Sequence, residues 1–96
     1  MPDALAPTTG WSVLHLFCKP RPEVDGEAIV AAVKAAEADD HQVVTFAVVG
    51  HKADLGFLAL GPDLWRLRSL QSGFQAAGLD IVDSYVSLTE LSEYSQ

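Results

Sequence analysis

Cysteine is nearly missing from this 96-residue chain: Cys18 stands alone. One thiol excludes an intrachain disulfide framework and a multi-thiolate metal site, and it is the usage expected of a reducing compartment. Basic residues are few, with 6 Lys+Arg against 13 Asp+Glu, a net charge of −7. Nucleic acid and anionic membrane are both held by clusters of Lys and Arg, so neither is an expected partner. No apolar run reaches the roughly 18 residues that a membrane-spanning helix needs. The first ten residues, MPDALAPTTG, lack the basic and apolar regions of a secretory leader, so a cytoplasmic location is the expectation. Glycine-rich phosphate loops and Ser/His/Asp arrangements are not legible.

What is present is the composition of one globular domain. Hydrophobic residues make up 49% and charged residues 20%, enough apolar side chain to bury a core at this length. Residues 1–10 read as an N-terminal arm, residues 11–90 as the folded domain, and residues 91–96 as an exit segment.

Within the domain the periodicities alternate. Residues 11–18 (WSVLHLFC) carry no breaker and read as a strand, closed by Pro20 and Pro22. Asp25 is an N-cap, with Glu27 in the first turn. Ile29, Ala32, Val33 and Ala36 then keep helical spacing as far as about Asp39. Residues 42–49 (QVVTFAVV) and 54–60 (DLGFLAL) form two strands joined by the turn 50–53, hence an antiparallel hairpin. Gly61, Pro62 and Asp63 announce a second helix with Pro62 in its first turn. Leu64, Leu67, Leu70 and Phe74 supply its stripe, and Gly78 stops it. Residues 81–88 (IVDSYVSL) are a fourth strand.

The order β-α-β-β-α-β specifies an α+β, ferredoxin-like domain: a four-stranded antiparallel sheet with both helices on one face. The second face of such a sheet ought to alternate toward polar residues. Here it does not. The first strand sets Ser12, Leu14, Leu16 and Cys18 against Val13, His15 and Phe17. The second sets Val43, Thr45 and Ala47 against Val44, Phe46 and Val48. The third sets Leu55, Phe57 and Ala59 against Asp54, Gly56, Leu58 and Leu60. Both faces are apolar, so the open face is expected to meet a second sheet, in a dimeric α+β barrel arrangement.

Few side chains offer chemistry. His15 lies mid-strand and reads as a buried histidine with one backbone partner. It would matter chemically if it pointed into an enclosed barrel. His41 reads as solvated in an acidic loop, and His51 with Lys52 as exposed turn residues. Cys18 reads as a core thiol. Trp65 is an interface anchor or an ordinary half-buried indole, and Gly56 marks a bulge or a close backbone approach.

Three stretches, GWSVLHLF (10–17), VGHKADLGFLAL (49–60) and SYVSLTELSEY (84–94), resemble in this order the N-terminal half of the chlorite dismutase family, most of all its coproheme decarboxylase branch. The resemblance runs from residue 10 to residue 94, though residues 21–41 match nothing in particular. It implies two ferredoxin-like domains packed sheet to sheet, rings of subunits, and heme or coproheme as cofactor. Members either convert coproheme to heme b or split chlorite. The family's catalytic and iron-ligating residues belong to its C-terminal domain, so none is carried over here. The cofactor is expected on that partner domain rather than on this chain. One position is carried: Tyr94, closing the LSEY motif, which by the resemblance would reach a porphyrin propionate, the other reading being a tail tyrosine packed on the domain edge. The alternative is a stand-alone dimeric barrel that binds or oxidises a small molecule without heme.

Overall fold

The structure is a computed structural model that describes residues 11–50 and 52–89. Six elements follow the expected order: β1 (Trp11–Pro20), α1 (Gly26–Ala38), β2 (Gln42–Ala47), β3 (Leu55–Gly61), α2 (Leu64–Ala76) and β4 (Leu79–Thr89). The sheet is antiparallel throughout, in the order β2-β3-β1-β4. Two strands between which the chain never passes directly, β1 and β3, occupy the centre. This is the ferredoxin-like fold.

The helices lie over one face. From β1 come Leu14, Leu16 and Cys18. From β3 come Phe57 and Ala59, from α2 Leu67, Leu70 and Phe74, from α1 Ala36, and from β4 Leu79. The rings of Phe57 and Phe74 stack with centroids 4.1 Å apart and planes inclined by 30°. This set is the even-numbered face of β1 and the odd-numbered face of β3, as the period of two requires.

Capping fixes the helix starts. The Asp25 carboxylate accepts from the amides of Glu27 and Ala28, and the Asp63 carboxylate accepts from those of Trp65 and Arg66. Asp63 is therefore the N-cap of α2, and Pro62 stands before the helix rather than in its first turn. The carboxylate satisfies amides that a proline start would leave open. Gly78 follows α2 at φ 106°, beyond the reach of an L-residue without strain. That turn releases β4 two residues earlier than the sequence suggests. β1 likewise extends to Pro20, which pairs with Leu79 at the margin of the sheet. β2 stops at Ala47, two residues short of expectation.

Arg21 closes the seam between the first connection and β4. Its guanidinium binds the carboxylates of Glu23 and Asp80 and donates to the carbonyl of Gln75 at 3.0 Å. Arg66 reaches Asp39 at 3.5 Å, tying α2 to the end of α1.

His41 departs from expectation. It is 4% exposed, not solvated. Its Nδ1 lies 2.7 Å from the carbonyl of Asp39, and the amide of Asp63 donates to its Nε2 at 3.2 Å. The ring thus joins the α1–β2 turn to the cap of α2. It occupies the space beside Gly61, where any Cβ would overlap it. Gly61→Ala is expected to cost about 1–3 kcal/mol by overpacking. In a His41→Ala background the same change is expected to cost much less, a non-additivity that a double-mutant cycle by urea denaturation would measure. Equal costs in both backgrounds would show that the ring does not set the need for glycine.

Candidate functional site

The face of the sheet away from the helices carries the side chains that no element of the described chain covers. In β1 these are Val13, His15 and Phe17. In β3 they are Leu58 and Leu60, in β2 Val44 and Phe46, and in β4 Tyr85. Val44 is 51% exposed, Phe46 37% and Tyr85 63%. Aromatic and branched aliphatic side chains are seldom left this open side by side on one surface. Of the charged residues of this region, Lys19 and Asp54, 3.8 Å apart, sit toward one end of the strands, and Asp83 of the edge strand stands opposite Phe17.

One row of the sheet shows how the surface is levelled. Phe46, Gly56 and Phe17 stand directly opposite one another on three adjacent strands. Gly56 leaves a gap in which a Cβ would strike the Phe46 ring. The ring lies over that gap and meets Phe17 edge to face, with centroids 6.3 Å apart. The expected close approach at Gly56 is thus a ring rather than a backbone.

The next odd position of β1 is His15, paired with Leu58 on one side and Tyr85 on the other. The imidazole and phenol rings tilt together with centroids 5.3 Å apart. The expected backbone partner of His15 is not there: its Nδ1 is enclosed and meets no hydrogen-bonding group. Facing the open side, it lies where neighbouring strand amides are already engaged in the ladder.

The remaining candidates lie elsewhere. Cys18 is fully buried on the helix side, and burial pushes its thiol up to about 11 from an ordinary 9.0. Trp65 is half exposed and lines, with Leu14, Leu64, Leu67 and Val86, a cleft of about 220 Å³ between α2 and β4. His51 and Tyr94 lie outside the described residues. Among the described residues no three His, Cys, Asp or Glu side chains converge as a metal site. No described helix is long and apolar enough to cross a membrane.

No protein-family model matches the sequence. Curated relatives do, among them the following two. One is a putative heme-binding protein of Haloarcula marismortui, 36% identical over 77 residues that take in 75% of this chain and 12% of the relative. The other is a putative heme-binding protein of Natronomonas pharaonis, 30% identical over 115 aligned positions, 98% of this chain and 19% of the relative. Among solved structures, a heme-binding protein from Thermus thermophilus superposes with a TM-score of 0.63 at 28% identity, over 91% of this chain and 43% of that one. The chain thus spans less than a fifth of these curated relatives and under half of the solved structure. All three carry heme binding in their names, and all three extend well beyond the part that this chain matches.

The state of Cys18 yields a direct expectation. Its folded value lies above its unfolded one, so the native state holds the thiol proton more tightly. That contribution to stability is complete below pH 9 and is lost as pH rises toward 11. At about pH 8 iodoacetamide should label Cys18 only as fast as the chain opens, and urea at the unfolding midpoint should restore the rate of a free thiol. Rapid labelling of the native chain would contradict the buried assignment.

Proposed function

We propose that this chain is the N-terminal, structural half of a chlorite dismutase-like heme protein, of the coproheme decarboxylase type that completes heme b. The observation that carries the reading is the uncovered apolar face built by Val13, Phe17, Val44, Phe46, Leu58, Leu60 and Tyr85. A second ferredoxin-like sheet laid on that face would bury it as two sheets of a sandwich bury theirs. The heme-binding names of the relatives, and their greater length, support a heme-bearing domain as the source of that sheet.

The described residues do not themselves make a heme pocket. A histidine that ligates iron ordinarily has its other ring nitrogen held by a hydrogen bond, and His15 Nδ1 has none. The open face is also a broad surface of one sheet rather than a cleft. The cofactor is accordingly assigned to the second domain, and no step of its chemistry is placed on these residues. The work of this chain is to enclose the neighbouring sheet, to exclude water from it and to help build a ring of subunits. Tyr94, by the family resemblance, would donate its phenol hydrogen to a porphyrin propionate.

The competing arrangement is two copies of this chain closed face to face, with His15 inside. Native mass spectrometry of the protein taken from its own cells separates the two. An assembly of higher order that contains iron porphyrin is expected, and a colourless homodimer would overturn the heme reading. Leu58→Glu places a charge in the middle of the face and is expected to break the assembly while leaving far-UV circular dichroism unchanged. In the assembled protein Tyr94→Phe is expected to weaken coproheme binding by about tenfold or more, the loss of one hydrogen bond to a charged group. Unchanged affinity in a visible-absorption titration would remove Tyr94 from the site.

A further inference from the structure

His15 contains a nitrogen that the chain encloses and leaves without a partner. A neutral imidazole carries one N–H and one bare nitrogen. A proton on Nδ1 would be a buried donor with nothing to receive it, and orphaned donors are rarer in folded proteins than under-used acceptors. The ring therefore carries its proton on Nε2. Beside it, the Tyr85 side chain is 63% exposed and brings a hydroxyl to the same part of the face.

Two polar groups thus stand together, with Leu58 on one flank, Val13 and Phe17 along β1, and on β4 Ser87 and Asp83 to either side of Tyr85, the Asp83 carboxylate accepting from the Ser84 amide. A wholly apolar sheet laid over them would strip water from the imidazole N–H and return nothing. A second N–H placed opposite would do worse, since neither group could accept. Tyr85 can donate or accept, so its hydroxyl does not discriminate. The imidazole does, because its accepting nitrogen is turned inward.

We infer that the sheet covering this face presents a side-chain oxygen acceptor, a carboxamide or carboxylate, to His15 Nε2–H beside Tyr85, and that this contact sets the register of the two sheets. The inference rests on the packing of a second sheet proposed above, and it adds the chemistry by which that sheet is recognised. A shift of the covering sheet by one residue along the strands would carry the acceptor about 3.3 Å away, beyond hydrogen-bonding reach, and leave the N–H unpaired.

Two measurements test it on the full chain. The first is the tautomer of His15, read by long-range nitrogen–proton NMR correlation of the imidazole. The Nε2–H form is expected, and the Nδ1–H form would overturn the inference whatever the chain binds. The second is association with the co-purified partner, by calorimetry, for three variants. His15→Leu is expected to weaken binding about 10- to 100-fold, because it strands the acceptor. His15→Gln, whose amide can place an N–H near the position of Nε2, should stay within about threefold of wild type. Tyr85→Phe, at an exposed position where folding is not at risk, should weaken binding by a few-fold. If His15→Leu binds as tightly as wild type or more tightly, the covering surface is apolar at this point and the acceptor is refuted while sheet packing stands. If the wild-type chain associates with nothing, the packing itself is refuted and the acceptor with it, whatever the tautomer.

Discussion

A single layer of helices cannot cover both faces of a sheet, and that constraint governs everything else in this molecule. β1 and β3 are apolar in both directions along their pleat. Leu14, Leu16, Phe57 and Ala59 find their cover in α1 and α2. Val13, Phe17, Leu58 and Leu60 point the other way, where the described chain offers none. Each Å² of hydrocarbon left in water forgoes roughly 25 cal/mol, so an apolar area spread over four strands is a standing drive toward association. Charge does not oppose it in the centre of the face, since Lys19 and Asp54 lie toward one end of the strands and Asp83 on the edge strand.

The two faces are finished differently, and the difference bears on what each does. The helix side is built by interlocking, with Phe57 against Phe74 and with small residues where the helices come closest, as at Gly73 against Ala32. The open side is levelled instead. Phe46 fills the gap over Gly56 and meets Phe17, so three strands present one aromatic row without a projecting ridge. An interlocked surface holds a unique internal packing, whereas a levelled one accepts a second sheet at the usual spacing of about 10 Å.

Much of this was legible in residue order because it depends on period. The alternation in the first three strands identified both apolar faces, the helical spacing located α1 and α2, and Asp25 and Gly78 announced a start and a stop. Side-chain contacts across long separations were not legible. His41 sits among acids and reads as solvated, yet its ring is fixed by the backbone of Asp63, 22 residues away, and nothing periodic links the two. Pro62 is a favoured first-turn residue, but the Asp63 carboxylate captured two amides and moved the boundary. For His15 the strand and the face were readable, while the state of its Nδ1 was not. Whether a ring nitrogen finds a partner depends on rotamer and on which neighbouring groups the ladder has already used.

Hydrophobic area by itself supplies attraction without direction. A flat apolar sheet can be covered in several registers that bury nearly the same surface, and such surfaces aggregate as readily as they pair. Direction has to come from groups whose needs are met in one arrangement and denied in the others. On this face the pair that can play that part is His15 on the central strand β1 and Tyr85 on the edge strand β4, held ring to ring. They lower the affinity that pure hydrocarbon would give, and in return a misplaced cover is penalised by an unpaired donor. The same reasoning explains why His15 sits on a central strand, with Tyr85 beside it on the edge strand. A polar group at the rim stays wet in every register and distinguishes none of them, whereas one at the centre is dried by all and satisfied by few.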